Sequence, residues 1–339
     1  MKTSMKNFLD LADLGREEVA DLLSLAWRLE RHPEPLALAG KVLGLIFFNP
    51  SLRTLASFQS GMSRLGGTSF VIAPGQGSWQ LETRTGVVMD GTAAEHVREA
   101  IPVLAGYADA LGIRSFAGGT DLAADLADDT FTAMADLCPQ PLVNMESAVN
   151  HPCQALADWR TMDELGVPAH GGKFVLSWAW HPKALPLAVP AAAVHMAALR
   201  GMDVTVLRPE GFALPEAVME RARRAAAFSG GSVHESADRG EAMERAHVIY
   251  AKSWTAPVHY GDPAAEAAHR APLRDWCVDE SWFAPAAPDC RFLHCLPVRR
   301  NVVVRDEVLD GPRSAVVREA HNRMWTQMAV LHRLLRGVA

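Results

Sequence analysis

Residues 41–54 read KVLGLIFFNPSLRT. Lys41 to Phe48 is a short, almost wholly apolar run bounded by Gly40 and Pro50, which fits a strand buried on both faces. Ser51, Arg53 and Thr54 follow at once, and LASFQSGMSRLGG (55–67) then places Leu55, Phe58, Met62 and Leu65 on one helical face. The unit is therefore strand, polar loop, helix. A loop entering a helix exposes backbone N–H groups at the positive helix end. With two hydroxyls and a guanidinium added, it suits a phosphate or another compact oxyanion. Alone, the same residues also describe a capped loop with a surface arginine.

The alternation continues in both directions. A helix-like run follows Gly15. Beyond the loop, strands are expected at 68–74, 109–116 and 141–147, with helices at 96–108 and near 120–137. After residue 150, strands are expected at 173–180, 203–209, 247–254 and 291–297, with helices at 187–201 and near 215–229. A long helix closes the chain over 314–338. Strands alternating with helices mean parallel sheets covered on both faces. The chain is thus read as α/β, with two domains that each hold a parallel sheet flanked by helices. Its 339 residues suit two domains, which divide near residue 150.

A composition of 49% hydrophobic and 21% charged residues is enough to bury large cores. The net charge of −6 and the lack of long like-charge runs speak against nucleic acid and anionic membrane as partners. No stretch of about 18 apolar residues suggests a membrane span. The N-terminal stretch carries acids within its apolar run and does not read as a signal peptide. The five cysteines, Cys138, Cys153, Cys277, Cys290 and Cys295, include no C-x-x-C pair and read as reduced thiols of a cytoplasmic protein.

Ligands of open parallel sheets lie at the carboxyl ends of strands. There the sequence places Arg114, Glu146, Lys252 and His294-Cys295-Leu296-Pro297, with His151-Pro152-Cys153-Gln154 opening a helix and Arg299 and Arg300 just beyond. The recurrence of cations and imidazoles at equivalent strand ends is hard to obtain by chance. Other chemistries find no support: no G-x-G-x-x-G follows a strand, and neither G-x-x-x-x-G-K-[ST] nor G-x-S-x-G occurs. His and Cys are not grouped at zinc-ligand spacings, so no metal or cofactor is expected.

Together, Ser51-Leu52-Arg53-Thr54, His151-Pro152-Cys153-Gln154 and His294-Cys295-Leu296-Pro297 resemble the S-x-R-T, H-P-x-Q and H-C-L-P motifs of the aspartate/ornithine carbamoyltransferase superfamily. The resemblance spans nearly the whole chain. GSWQLETRTGVVMDG (77–91), AKSW (251–254) and HCLPVRRN (294–301) look like its N-acylornithine branch, and the S-M-G motif of ornithine carbamoyltransferases is missing. The resemblance implies a carbamoyl-phosphate-binding domain over 1–150, an acylornithine-binding domain over 151–313, and a helix 314–339 packed back on the first.

It also implies roles. Ser51, Leu52, Arg53, Thr54, Trp79, Arg114, His151, Pro152, Cys153 and Gln154 would bind carbamoyl phosphate; Arg53, Thr54, Arg114, His151 and Cys295 would carry the chemistry. Glu146, His181, Lys252, Cys295, Leu296 and Arg299 or Arg323 would hold the acylornithine. Cys295 reads as a positioning residue rather than a nucleophile. The Trp79 loop would serve a neighbouring subunit of a homotrimer. The small-molecule substrates would be carbamoyl phosphate and an N-acylornithine of arginine biosynthesis. Acetyl-specific enzymes carry a glutamate where Ala94 stands and a lysine where Val303 stands, so the expected substrate is N-succinyl-L-ornithine. N-acetylornithine, plain ornithine and a non-catalytic ligand-binding member are the alternatives. One departure is Leu55, where many members have a second arginine.

Overall fold

The structure, a computed structural model, describes residues 5–336. These cluster into two compact units. One holds the chain up to Ala117, Ala123–Cys153, and the chain from Arg323 onward; the other holds Gly118–Leu122 and Gln154–Asn322.

Along the first part of the chain run α1 (Arg16–Arg31), β1 (Val42–Phe47), α2 (Leu52–Arg64), β2 (Thr68–Ile72), β3 (Leu81–Glu82) and β4 (Glu95–His96). They are followed by α3 (Val97–Gly106), β5 (Ala110–Arg114), α4 (Leu122–Ala127), α5 (Asp129–Leu137) and β6 (Leu142–Glu146). The first unit is built on a four-stranded sheet of order β2-β1-β5-β6, parallel throughout. The strands β5 and β6 are buried at every position, as helices on both faces require. Gly44 keeps β1 close to its neighbours: a Cβ there would meet Leu111 Cδ2 at 2.6 Å and Phe70 Cζ at 2.7 Å. Ile46, Ile101, Leu111, Ile113 and Met134 form part of the core between sheet and helices. The outer side of β6 is paired rather than open. Phe8 donates its N–H to the Leu142 carbonyl (2.8 Å) and accepts from Asn144 N (2.9 Å), so an N-terminal segment blunts that edge.

The second part carries α6 (Pro152–Glu164), β7 (Lys173–Trp178), α7 (Ala188–Arg200), β8 (Asp203–Leu207), α8 (Glu216–Ser229) and β9 (Ser232–Ser236). Then come α9 (Arg239–Met243), β10 (Val248–Lys252), α10 (Pro263–Arg270), β11 (Arg291–Leu293), α11 (Asp306–Leu309) and α12 (Val316–Arg336). The second unit holds a five-stranded sheet, order β11-β10-β7-β8-β9, again parallel throughout. Every residue of α7 is buried, which explains why AVPAAAVHMAALR lacks a polar face. Trp178, Phe212 and Trp254 interlock, with Trp178 and Phe212 ring centroids 4.5 Å apart and Trp254 Nε1–H bonded to the Phe212 carbonyl at 2.9 Å.

Three local features differ from the sequence reading. The helix expected near 120–137 is two helices, α4 and α5, separated by Asp128 in a left-handed conformation (φ 54°). β9 was not anticipated, because an edge strand reading SVHES buries one residue and shows no apolar run. The stretch after Trp79 contributes the small parallel ribbon β3–β4, pairing Leu81 with Glu95. No helix among the described residues is long and apolar enough to cross a membrane.

Strand order reverses between β1 and β5 in the first sheet and between β7 and β10 in the second. Open α/β sheets bind ligands at such points, beyond the carboxyl ends of the strands. The first point is flanked by Ser51–Thr54 and Arg114, the second by His181 and Lys252.

Candidate active-site residues

In the first unit, Ser51 caps α2. Its Oγ accepts from Thr54 N (3.3 Å) and donates to Thr54 Oγ1 (3.0 Å), which turns the helix N-terminus toward the end of β1. Thr54 is fully buried, and Arg323 Nη2 donates to its Oγ1 at 2.7 Å. Leu52 points its side chain outward at 80% exposure, so what it offers a ligand is its backbone N–H.

Arg114 ends β5 and is buried against the ring of Phe116, its guanidinium carbon 4.5 Å from the centroid. It pairs with Glu146, whose Oε2 lies 3.5 Å from His151 Nε2. The Nε atoms of Arg114 and Arg323 are buried without a hydrogen-bond partner. Burial above all, and then the charges of Arg114 and Arg53, pull the Arg323 guanidinium below the usual arginine range, against the opposing pull of Cys153 and Glu146. Three guanidiniums thus converge near Thr54 around the Glu146 carboxylate, an excess of positive charge that suits a multiply charged oxyanion. Cys153 is buried beside them. Burial pushes its thiol up to about 12, so it stays protonated at neutral pH.

Trp79 is 60% exposed and donates Nε1–H to Glu95 Oε2 at 2.8 Å. It borders a cavity of about 350 Å³ that includes Leu81, Val103 and Tyr107 in its lining. Ala94 lies in the same region, exposed, its N–H bonded to the Gln80 carbonyl at 3.2 Å.

In the second unit, Lys252 ends β10, and its carbonyl accepts from Ala179 N at 3.1 Å, tying β10 to the loop that leads to His181. Arg299 Nε donates to His181 Nε2 (3.1 Å), and His181 Nδ1 meets the Lys183 carbonyl (2.9 Å). Because a guanidinium only donates, the ring proton sits on Nδ1. Burial holds His181 below the usual histidine range against its bond to Lys183, and the charges of Arg299, Lys252 and Arg270 add to the lowering. It is a neutral acceptor at pH 7.

Beyond β11, Leu296 N–H bonds His294 Nδ1 at 2.9 Å, and Leu296 adopts a left-handed conformation (φ 51°) before a cis bond to Pro297. A leucine held there is strained, and such strain gathers where a loop has a task. Gln154, also buried, donates Nε2–H to Asp158 Oδ1 and Glu319 Oε1, both at 2.8 Å. Asp158 and Glu319 were missed in the sequence. The i,i+4 spacing from Gln154 to Asp158 was available as a signal; nothing in the sequence pointed to Glu319. Val303 is buried, with its N–H on the Arg299 carbonyl at 2.9 Å. Among the described residues no group of three or more His, Cys, Asp or Glu side chains is placed to hold a metal ion.

Within the first unit, then, the structure brings together Ser51, Thr54, Arg114, Glu146, His151 and Arg323, with Arg53 near enough to act on Arg323. Within the second it brings together His181 with Arg299 and Lys252. Arg323 keeps company with the phosphate-type loop, and Arg299 with His181.

Family models match both parts of the chain. Residues 6–164 match the model for the carbamoyl-P binding domain of aspartate/ornithine carbamoyltransferase, and residues 189–334 match its Asp/Orn binding domain. The chain is 40% identical over 335 residues to the N-acetylornithine carbamoyltransferase of Xanthomonas campestris pv. campestris, covering 98% of each chain. It is 36% identical over 336 residues to the N-succinylornithine carbamoyltransferase of Bacteroides thetaiotaomicron, covering 98% of this chain and all of that one. Among solved structures it matches a glutamate-to-alanine variant of N-acetyl-L-ornithine transcarbamylase complexed with carbamyl phosphate and N-succinyl-L-norvaline. The TM-score is 0.94 at 40% identity, covering 97% of this chain and 100% of that one.

Proposed function

The chain belongs to the aspartate/ornithine carbamoyltransferase family, and from that premise we propose that it transfers the carbamoyl group of carbamoyl phosphate to the δ-amine of an N-acyl-L-ornithine. The observation that carries this reading is the convergence of Arg53, Arg114 and Arg323 on the Thr54 end of α2, with Glu146 as the nearby counter-charge. A phosphate dianion is the kind of anion that such a gathering of guanidiniums at a helix N-terminus suits.

In the reaction the neutral δ-amine attacks the carbamoyl carbon and a C–N bond forms. The carbonyl π electrons move onto oxygen, giving a tetrahedral oxyanion. When the carbonyl re-forms, the bond between the carbamoyl carbon and the bridging oxygen breaks, phosphate leaves with the electron pair, and the nitrogen gives its proton to the departing phosphate. Ser51, Arg53, Thr54 and the N–H groups of the first turn of α2 hold the phosphate. Thr54, Arg114 and His151 direct donors at the carbamoyl oxygen, the electrostatic route of acyl transfer. Gln154 and the carbonyls of Cys295 and Leu296 accept from the carbamoyl NH₂. Lys252 and Arg299 pair with substrate carboxylate, and neutral His181 orients the Arg299 guanidinium through Nε2. Trp79 serves a neighbouring copy in a homotrimer, which a mass measurement in solution tests.

Taken over the whole chain, the relatives favour an acetyl group over the succinyl group expected from the sequence. Succinyl is the second reading, on one specific observation: Ala94 puts no carboxylate where the acetyl-specific enzymes carry a glutamate. The solved glutamate-to-alanine variant with N-succinyl-L-norvaline bound points the same way. A citrulline assay with ornithine, N-acetylornithine and N-succinylornithine decides. The N-acylated amines are expected to turn over at least tenfold faster in kcat/KM than ornithine; preference for ornithine, or no turnover at all, defeats the reading.

Ala94→Glu checks the acyl argument. Two carboxylates near 4 Å repel by about 4 kcal/mol at an effective dielectric of 20. Ala94 is exposed, so screening cuts this to about a tenfold fall in the succinyl-to-acetyl ratio of kcat/KM. An unchanged ratio removes Ala94 as a determinant.

A further inference from the structure

A cavity of about 430 Å³ lies on one face of the five-stranded sheet, among residues that the transfer reaction does not use. Parallel register builds it. Lys173 stands level with Asp203 and Asp203 with Ser232, while Thr205 pairs with His234 and Leu207 with Ser236. Glu241 of α9 borders the same space. The cavity starts at the amino ends of β7, β8 and β9, whereas His181 lies beyond the carboxyl end of β7 and Lys252 ends β10. It is therefore separate from the residues assigned to the acylornithine.

Its internal hydrogen bonds leave acceptors in excess. Ser232 Oγ donates to Asp203 Oδ1 at 2.7 Å, so it accepts from His234 Nε2–H at 3.0 Å and leaves His234 Nδ1 a bare acceptor. Ser236 Oγ donates to Glu241 Oε2 at 3.0 Å. Asp203 Oδ2 and Glu241 Oε1 take no hydrogen bond from any described residue. The Lys173 ammonium is already engaged, donating to the carbonyls of Glu241 and Glu244, both at 3.0 Å. Three carboxylates, Glu244, Glu241 and Asp203, act on that one cation, so negative charge is left over. Thr205 gives an independent sign of a ligand. It lines the cavity at 8% exposure, and its hydroxyl makes no hydrogen bond with any described residue. A buried hydroxyl without a partner is costly, and a molecule entering the cavity supplies one.

We propose that this cavity binds a small organic cation bearing several N–H donors, an alkylguanidinium or alkylammonium, with Asp203, Glu241 and His234 accepting from it and Thr205 completing its hydrogen bonds. No group of three or more His, Cys, Asp or Glu side chains among the described residues is placed to hold a metal ion, so a cation here brings its own N–H groups. The volume falls within the range of about 300–1,000 Å³ usual for small-molecule sites. A guanidinium fits best, because its donors spread in one plane and can reach acceptors on the sheet and on α9 together. The inference does not rest on the proposed function.

Calorimetry on the full-length protein with agmatine, which carries a guanidinium and an ammonium on one short chain, tests this. Saturable binding is expected, with tetramethylammonium, a cation without N–H donors, about tenfold weaker or more. Asp203→Asn and Glu241→Gln should each weaken agmatine binding about fivefold, a modest loss because both side chains are exposed and screened. Thr205→Val, which keeps the shape and removes the hydroxyl, should weaken it about threefold. The two exposed substitutions leave the core untouched and decide the matter if Thr205→Val fails to fold. The inference is overturned if agmatine shows no saturable binding or if tetramethylammonium binds equally well. Affinities within about twofold of the unaltered protein in both carboxylate variants overturn it too. Citrulline formation is assayed separately, so the fate of this site leaves the proposed function untouched.

Discussion

Arg53→Ala is expected to lower kcat/KM for carbamoyl transfer by about 10³-fold and to leave the folded protein as stable as before, or slightly more so. The first part follows from where the charge goes. Phosphate departs with an electron pair, and removing one preorganised donor aimed at developing charge costs about 10²- to 10³-fold. The second part follows from the free protein. Arg53 and Arg114 both disfavour the charged form of the buried Arg323, with Glu146 pulling the other way. Taking one away relieves that repulsion. Alanine is also an excellent helix former, suited to the first turn of α2. Activity falling while melting temperature holds or rises is the signature of a residue kept for its ligand. Turnover near that of the unaltered protein, or a melting temperature lower by many degrees, contradicts the assignment. Added phosphate should stabilise the unaltered protein more than the variant.

Glu266→Ala is expected to act in the opposite way, on stability first. Glu266 and Arg270 form an i,i+4 pair on α10, with Arg270 Nε 3.0 Å from Glu266 Oε1 and 3.1 Å from Oε2. Both are almost wholly buried, at 3% and 2% exposure. The guanidinium also donates to Ser253 Oγ (2.7 Å) and the Trp254 carbonyl (3.0 Å), and sits 5.3 Å from the centre of the Trp178 ring. Removing the carboxylate leaves a desolvated cation, which costs about 3–5 kcal/mol. In a unit of this size that is a fall of roughly 10 °C in melting temperature. Because Arg270 braces the Ser253–Trp254 turn directly behind Lys252, KM for the acylornithine should rise as well. Glu266→Gln keeps the shape and most of the bonds and should lose less. A melting temperature within about 2 °C of the unaltered value for the alanine variant rules out the buried pair as a support.

Local chemistry was the legible part of the sequence. β1 and its loop could be read because an apolar run, Pro50 and a capping Ser51 are all neighbours in the chain. β7, β8 and β10 were equally plain, since burial on both faces leaves continuous apolar runs. β9 escaped because an edge strand with one buried residue carries no such signal. The break at Asp128 escaped because its left-handed turn is held from outside the helix, by Ala148 N–H on its carboxylate at 3.2 Å. The candidate site divides the same way. S-x-R-T, H-P-x-Q and H-C-L-P are contiguous and were found. Arg323 bonds Thr54 across 269 positions, and Glu319 bonds Gln154 across 165. No local pattern encodes such pairings, so Arg323 entered only as one of two candidates and Glu319 not at all.

The second unit is inserted into the first, and the third guanidinium lies on the return stretch. During synthesis the ribosome must therefore deliver the whole of the inserted unit before Arg323 emerges to meet Thr54. A nascent chain therefore has the Ser51–Thr54 loop long before it has the guanidinium that bonds Thr54, and the first unit gains that contact only near the end of translation.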